Sequence, residues 1–176
     1  MLIDKDTEIQ NLKKAHEEMQ MVLQSLNSDQ KTTILIHDTW TVKDIIAHLA
    51  AWNWEVITEI ERILEDGATW DKLYTEAETE DDFNKRMIEQ RRHHTLPEVV
   101  EEWENSFADL LATIEQLSEE QWTHQSGQDV WSSPPLEGEP ITVYSLFDYH
   151  YKEKHHEAGH AKEILEYFSS SVTPEG

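Results

Sequence analysis

The chain has no cysteine among its 176 residues. That excludes disulfides, thiolate nucleophiles and zinc-finger ligands. Glycine and proline are scarce, five of each, which suits helices joined by few tight turns, and no glycine-rich loop suggests phosphate binding. Positive charge is also short: 14 Lys and Arg stand against 37 Asp and Glu, a net charge of −23. A surface so negative repels phosphate backbones and anionic lipid, so the expectation is no nucleic-acid and no membrane partner. An anionic substrate would need a metal or local Lys and Arg to offset the repulsion, so the charge favours neutral or cationic substrates. The densest acidic run, Glu76 to Asp82, reads as a solvated connection. No stretch approaches the ~20 apolar residues of a membrane helix, and the opening Met-Leu-Ile-Asp-Lys-Asp lacks the basic and apolar blocks of a signal peptide. These features predict a cytoplasmic chain forming one domain over 1–176.

Periodicity predicts four long helical segments. In the first, from about Asp4 to Leu26, Leu12, Ala15, Met19, Val22, Leu23 and Leu26 recur at three- and four-residue steps and form one buried stripe. The second starts after Thr41, an N-cap with Asp44 three residues on, and its stripe runs through Val42, Ile45, Ile46, Leu49, Val56, Ile60 and Ile63 to a stop at Gly67. The third breaks at Pro97, which suits a helix first turn capped by Thr95 or Leu96; Val99, Trp103, Phe107, Leu110, Ile114 and Leu117 follow inward. Residues 118–140 lose periodicity and, with Ser132-Ser-Pro-Pro135, predict a long loop. The fourth runs from about Thr142 to Phe168, with a frayed tail at about 169–176. Four amphipathic helices without a strand signal predict an all-α four-helix bundle.

Histidines carry the functional signal. His156 and His160 are one helical turn apart, about 40° round the helix. That is how one helix offers two nitrogens to a metal ion. His48 lies on the edge of the apolar stripe of the second helix, with Trp52 one turn on and Glu55 two turns on. If the fold joins the two segments, three neutral nitrogens meet, leaving open positions for water or substrate. Ligand type alone does not choose among Zn, Ni, Cu and Fe(II). With 10 histidines in the chain, such a pair also arises by chance, and a helix-flank histidine also serves at a core edge. His155 reads as exposed, and His16, His37, His93, His94 and His124 as surface residues. Glu55, Glu153 and Glu157 lie near the histidines; one can orient a ring through its second nitrogen or act as a base. Glu55 and Glu157 are the candidate catalytic residues. Trp52, Trp54, Trp103 and Trp131 can line a pocket or fill the core.

The segment Trp40-Thr-Val-Lys-Asp-Ile-Ile-Ala-His48-Leu-Ala-Ala-Trp52 resembles the second-helix signature of the DinB/YfiT-like superfamily. His156-Glu-Ala-Gly-His160 resembles its last-helix His-x-x-x-His. Asn84 to Arg92, followed by Leu-Pro-Glu-Val-Val, looks more specifically like the ClbS/DfsB branch, although that branch often has Tyr where this chain has Glu157. The resemblance implies an up-down-down-up four-helix bundle with zinc or nickel held by His48, His156 and His160 at one end. It implies a metal-dependent enzyme, a hydrolase or a thiol-dependent transferase with a low-molecular-weight thiol as possible cofactor, acting on a small electrophilic molecule, and a possible homodimer. The alternatives are a protective module that sequesters or inactivates a small toxin with the metal absent or incidental, and a helical domain that has lost its site.

Overall fold

Helix α1 spans Lys5–Ser25 because Asp4 caps it: Thr7 N–H donates to the Asp4 carboxylate at 3.1 Å. Its stripe, with Ile9 added, is buried as expected. The computed structural model describes residues 4–37, 39–70, 79–132, 136–151 and 155–170, and of His37, Tyr149, His150 and Tyr151 the backbone only. A short helix α2, Ser28–Thr32, closed by an Asn27–Gln30 capping box, leads to strand β1, Leu35–His37. β1 pairs antiparallel with β2, Trp40–Thr41. This hairpin delivers Thr41 to the start of α3, Val42–Leu64, where Asp44 N–H donates to Thr41 Oγ1 and Thr41 N–H donates to the Asp44 carboxylate at 2.9 Å. The predicted cap is therefore present.

At the end of α3 the left-handed residue is Asp66, φ 55°, one position before the expected Gly67. Asp66 is held there by its carboxylate, which accepts from Gly127 N–H at 2.9 Å and bonds His124 at 3.0 Å. Helix α4, Glu80–Arg91, begins with a Thr79–Asp82 capping box, so the last acids of the 76–82 run start a helix; residues 76–78 lie outside the described part. Helix α5, Leu96–Gln116, begins with Thr95 as cap and Pro97 in its first turn.

Two expectations change. Residues 118–140 are not simply a loop: Ser118 caps a short helix α6, Glu119–Trp122, and strands β3, Gln125–Val130, and β4, Pro140–Thr142, pair antiparallel. Trp122 and Trp131 anchor this segment in the core. Nothing periodic marks it, because its partners are distant in sequence. The predicted fourth helix is two helices, α7, Val143–Tyr151, and α8, His156–Ser170, with 152–154 outside the described residues. Positions before and after that interval therefore do not share one helical wheel. Glu153 lies outside the described residues.

The fold is all-α in class despite the hairpins. Helix α3 lies most extensively on α5, and α1 on α8. Buried apolar residues form two neighbouring clusters: Trp122, Phe147, Ile60 and Leu110 belong to one, and Met19, Ile45, Trp103 and Ile164 to the other. No described helix is long and apolar enough to cross a membrane.

One buried carboxylate has a measurable consequence. Glu59 is wholly buried on α3; it accepts from Trp70 N–H at 2.7 Å and from Arg62 at 3.1 Å. Burial outweighs these partners and pushes its pKa up to about 7 from an ordinary 4.5. The folded state thus binds a proton the unfolded chain has released. This contribution to stability is full below pH 4.5 and is lost as pH rises through about 7. Thermal melts at pH 5 and pH 8 are expected to show a smaller pH-dependent drop in Glu59→Gln than in wild type. An equal drop in both would remove Glu59 as its source.

Candidate metal centre

His48 sits on α3, buried, and His156 and His160 occupy the first turns of α8, half-buried. The fold brings the three together. His48 Nε2 lies 2.8 Å from His156 Nε2, which lies 3.2 Å from His160 Nε2. Among the described residues this is the grouping whose donor atoms all fall within 4.8 Å of one another. A neutral imidazole nitrogen donates one hydrogen bond or accepts one. His156 Nε2 faces two such nitrogens, so hydrogen bonding alone does not satisfy the cluster. Tetrahedral zinc with Zn–N of ~2.0–2.1 Å separates its nitrogens by about 3.3 Å. The 3.2 Å spacing matches that value and the 2.8 Å spacing falls somewhat short of it, so the donor set fits a shared divalent cation after a small opening of the rings.

The supports of the rings also fit. His160 Nδ1 lies 2.9 Å from the Glu163 carboxylate; Nδ1–H donating there leaves the Nε2 lone pair facing the cluster. Burial, reinforced by His160, pushes the His48 pKa down to about 3, while a hydrogen bond that the His48 ring donates to Asn84 and the Glu163 charge act the other way. His48 is therefore neutral at pH 7, the form that ligates a metal. Trp52 Nε1–H donates to Asn84 Oδ1 at 2.8 Å. The Trp40 and Trp52 rings lie 5.1 and 6.3 Å from the His48 ring, so indoles flank the cluster on α3's side.

The two candidate carboxylates stand outside the cluster. Glu55 accepts from Arg62 at 2.8 Å and from Trp70 Nε1–H at 3.0 Å, which ties the chain after α3 back onto that helix. Glu157 is buried in the α1–α5–α8 interface. One of its oxygens bonds His16 Nδ1 at 2.8 Å and the other accepts from Trp103 Nε1–H at 2.8 Å. His16 Nε2 bonds Glu104 at 3.0 Å, and the His16 ring stacks on Phe107 with centroids 3.7 Å apart. Burial opposes the charged ring, but the bonds and charges of Glu157 and Glu104 win and hold its pKa above the ordinary value.

His16 is thus a core residue, contrary to the surface expectation; no partner at helical spacing announces it, since Glu157 is 141 positions away. His155 is not exposed either. It faces the buried Glu8 across 3.5 Å, because α8 begins only after it. Glu163 had a legible signal, lying three residues after His160 on the same helix face. Trp52, Trp103 and Trp131 are buried in the core, and Trp54 is partly exposed.

The family model described as the mycothiol maleylpyruvate isomerase N-terminal domain matches residues 12–143. His48 falls inside that match; His156 and His160 fall beyond it. No curated protein gives a significant sequence match. Among solved structures, the colibactin self-resistance protein ClbS in complex with a dsDNA superposes with a TM-score of 0.68 at 10% identity, covering 97% of each chain. A protein from Streptococcus pneumoniae gives 0.68 at 14% identity, covering 98% of this chain and 96% of its own. The mycothiol-dependent maleylpyruvate isomerase gives 0.63 at 12% identity; 94% of this chain aligns to 60% of that one.

One expectation is overturned by these likenesses. Net charge predicts no nucleic-acid partner, yet ClbS, a protein of the same fold, is in complex with dsDNA. Net charge sums the whole surface, whereas contact is decided by the field within about 8–10 Å at ordinary salt. Here three of the four arginines lie within seven residues, Arg86 to Arg92, so the cationic groups are not spread evenly.

Proposed function

The chain belongs to the mycothiol maleylpyruvate isomerase N-terminal domain family and shares its fold with ClbS, and on that premise we propose that it is a metal-dependent enzyme of the DinB-like superfamily acting on a small electrophilic molecule. The reaction is hydrolysis or transfer to a low-molecular-weight thiol. The observation that carries this reading is the convergence of His48, His156 and His160 at hydrogen-bonding distance. Zinc or nickel bound there supplies a Lewis acid that activates a nucleophile near neutral pH.

The chain's own residues hold and shield that site. Glu163 fixes the His160 ring, Asn84 holds His48, and the Trp40 and Trp52 indoles limit water beside it. Glu157 is a positioning residue: by bonding His16 and Trp103 it seats the first turn of α8, and with it His156. Glu55 likewise fixes Trp70, whose ring packs 5.5 Å from Trp52.

A second reading is favoured by the end-to-end likeness to a self-resistance protein. In it the same site inactivates or sequesters a small toxin. Zinc- or nickel-loaded protein is expected to accelerate either thioether formation between glutathione and 1-chloro-2,4-dinitrobenzene, with loss of chloride, or hydrolysis of p-nitrophenyl acetate. A chelator and His48→Ala are both expected to abolish the rate. No acceleration of either reaction would sink the enzymatic reading in favour of sequestration.

A further inference from the structure

A cavity of about 580 Å3 opens between the β1–β2 hairpin and helix α4. That is the size of a small-molecule site. Its α4 wall is a single helix face: Asp82, Lys85, Glu89 and Arg92 recur at three- and four-residue steps, with Ile88 buried at the floor. Opposite stands Trp40, whose ring also packs 5.1 Å from His48. The other face of α4 carries Asn84, which bonds His48 and Trp52. Cavity and histidine cluster therefore share Trp40 on one side and adjacent residues of α4 on the other.

The charges of this cavity differ from those of the rest of the chain. Both acids on the wall have partners of their own: Asp82 caps α4 by accepting from Thr79 N–H and O–H, and Glu89 pairs with Arg92. Lys85 and Arg86 add positive charge, with Arg86 lying 5.6 Å over the Phe83 ring. Lys43 donates to the carbonyls of Arg92 and His94 at 3.0 and 2.7 Å, fixing the turn behind the cavity and adding a fourth cation beside Lys85, Arg86 and Arg92. In a chain of net charge −23, this supplies the local Lys and Arg that an anionic substrate requires.

We propose that this cavity is the anion-binding half of the active site, taking the carboxylate or phosphate end of a small substrate or thiol while its reactive end reaches past Trp40 to the histidines. The proposal rests on the metalloenzyme reading for its reactive end and on the cavity alone for its anionic end. It reverses the preference for neutral or cationic substrates drawn from net charge: guanidinium and ammonium groups within hydrogen-bond reach outweigh distant, screened carboxylates.

The test is calorimetric titration of metal-loaded protein at low ionic strength with two probes, succinate and inorganic phosphate. Wild type is expected to bind one or both saturably, and Lys85→Gln/Arg92→Gln to bind about tenfold more weakly, the effect of losing charge-assisted bonds. Both positions are exposed, so the variant is expected to keep the wild-type melting temperature and metal content. His160→Ala, which tests the metal, is expected to retain binding of whichever anion the wild type binds. No saturable binding in wild type, or equal binding in the double variant, overturns the anion site whatever the metal result. A duplex DNA that binds and is lost in the double variant, while neither small anion binds, overturns it in favour of a polyanion surface.

Discussion

His160→Ala is expected to lose the metal. Wild-type protein, purified without an affinity tag, should carry about one zinc or nickel per chain, the stoichiometry of a three-histidine site with an open position, and the variant almost none. The reason is geometric. His160 Nε2 lies 3.2 Å from His156 Nε2, and Glu163 holds the ring in that direction; without it two histidines on different helices remain. Elemental analysis reads the outcome directly. Melting supplies an independent check, because a ligand that binds only the folded state stabilises it: about 4 kcal/mol at a thousand times the dissociation constant. Added zinc or nickel should therefore raise the wild-type melting temperature and leave His160→Ala unchanged. Equal metal content in the two proteins would end the metal assignment. A wild-type protein with neither metal nor a thermal response would end it too.

Glu157→Ala should destabilise the fold by about 3–5 kcal/mol, the cost of removing one partner from a buried charged pair. The His16 and Glu157 side chains are 7% and 8% exposed, so solvent screens little of this interaction. Truncation leaves the His16 ring, stacked on Phe107, facing an apolar gap, and also strands the buried Trp103 N–H. Glu157→Gln keeps an acceptor oxygen and is expected to cost less. The double variant His16→Ala/Glu157→Ala should cost less than the two single changes together, since both remove one interaction. Urea denaturation at pH 7 measures all four. A loss below about 1 kcal/mol, the scale of a surface pair, would show that the network does not hold α8 in place. The expected side effect is weaker metal retention in Glu157→Ala, because His156 is the next residue.

The sequence shows the helices whose stripes repeat at helical spacing. It fixed the start of α3 through Thr41 and Asp44, and the break at Pro97, because caps and prolines act within a few residues of themselves. It also singled out His48, His156 and His160, from spacing and from the local pattern around His48. That their nitrogens meet comes from tertiary packing, since 108 positions separate His48 from His156 and no periodicity spans that interval. The same holds for the strands within 118–140, which exist by pairing β3 with β4, and for the division of the last helix into α7 and α8. Burial of His16 and half-burial of His155 were hidden for the same reason: the residues that cover them lie far away in sequence. Net charge misled because it is an average, while the cavity beside Trp40 is set by which few cations the fold gathers.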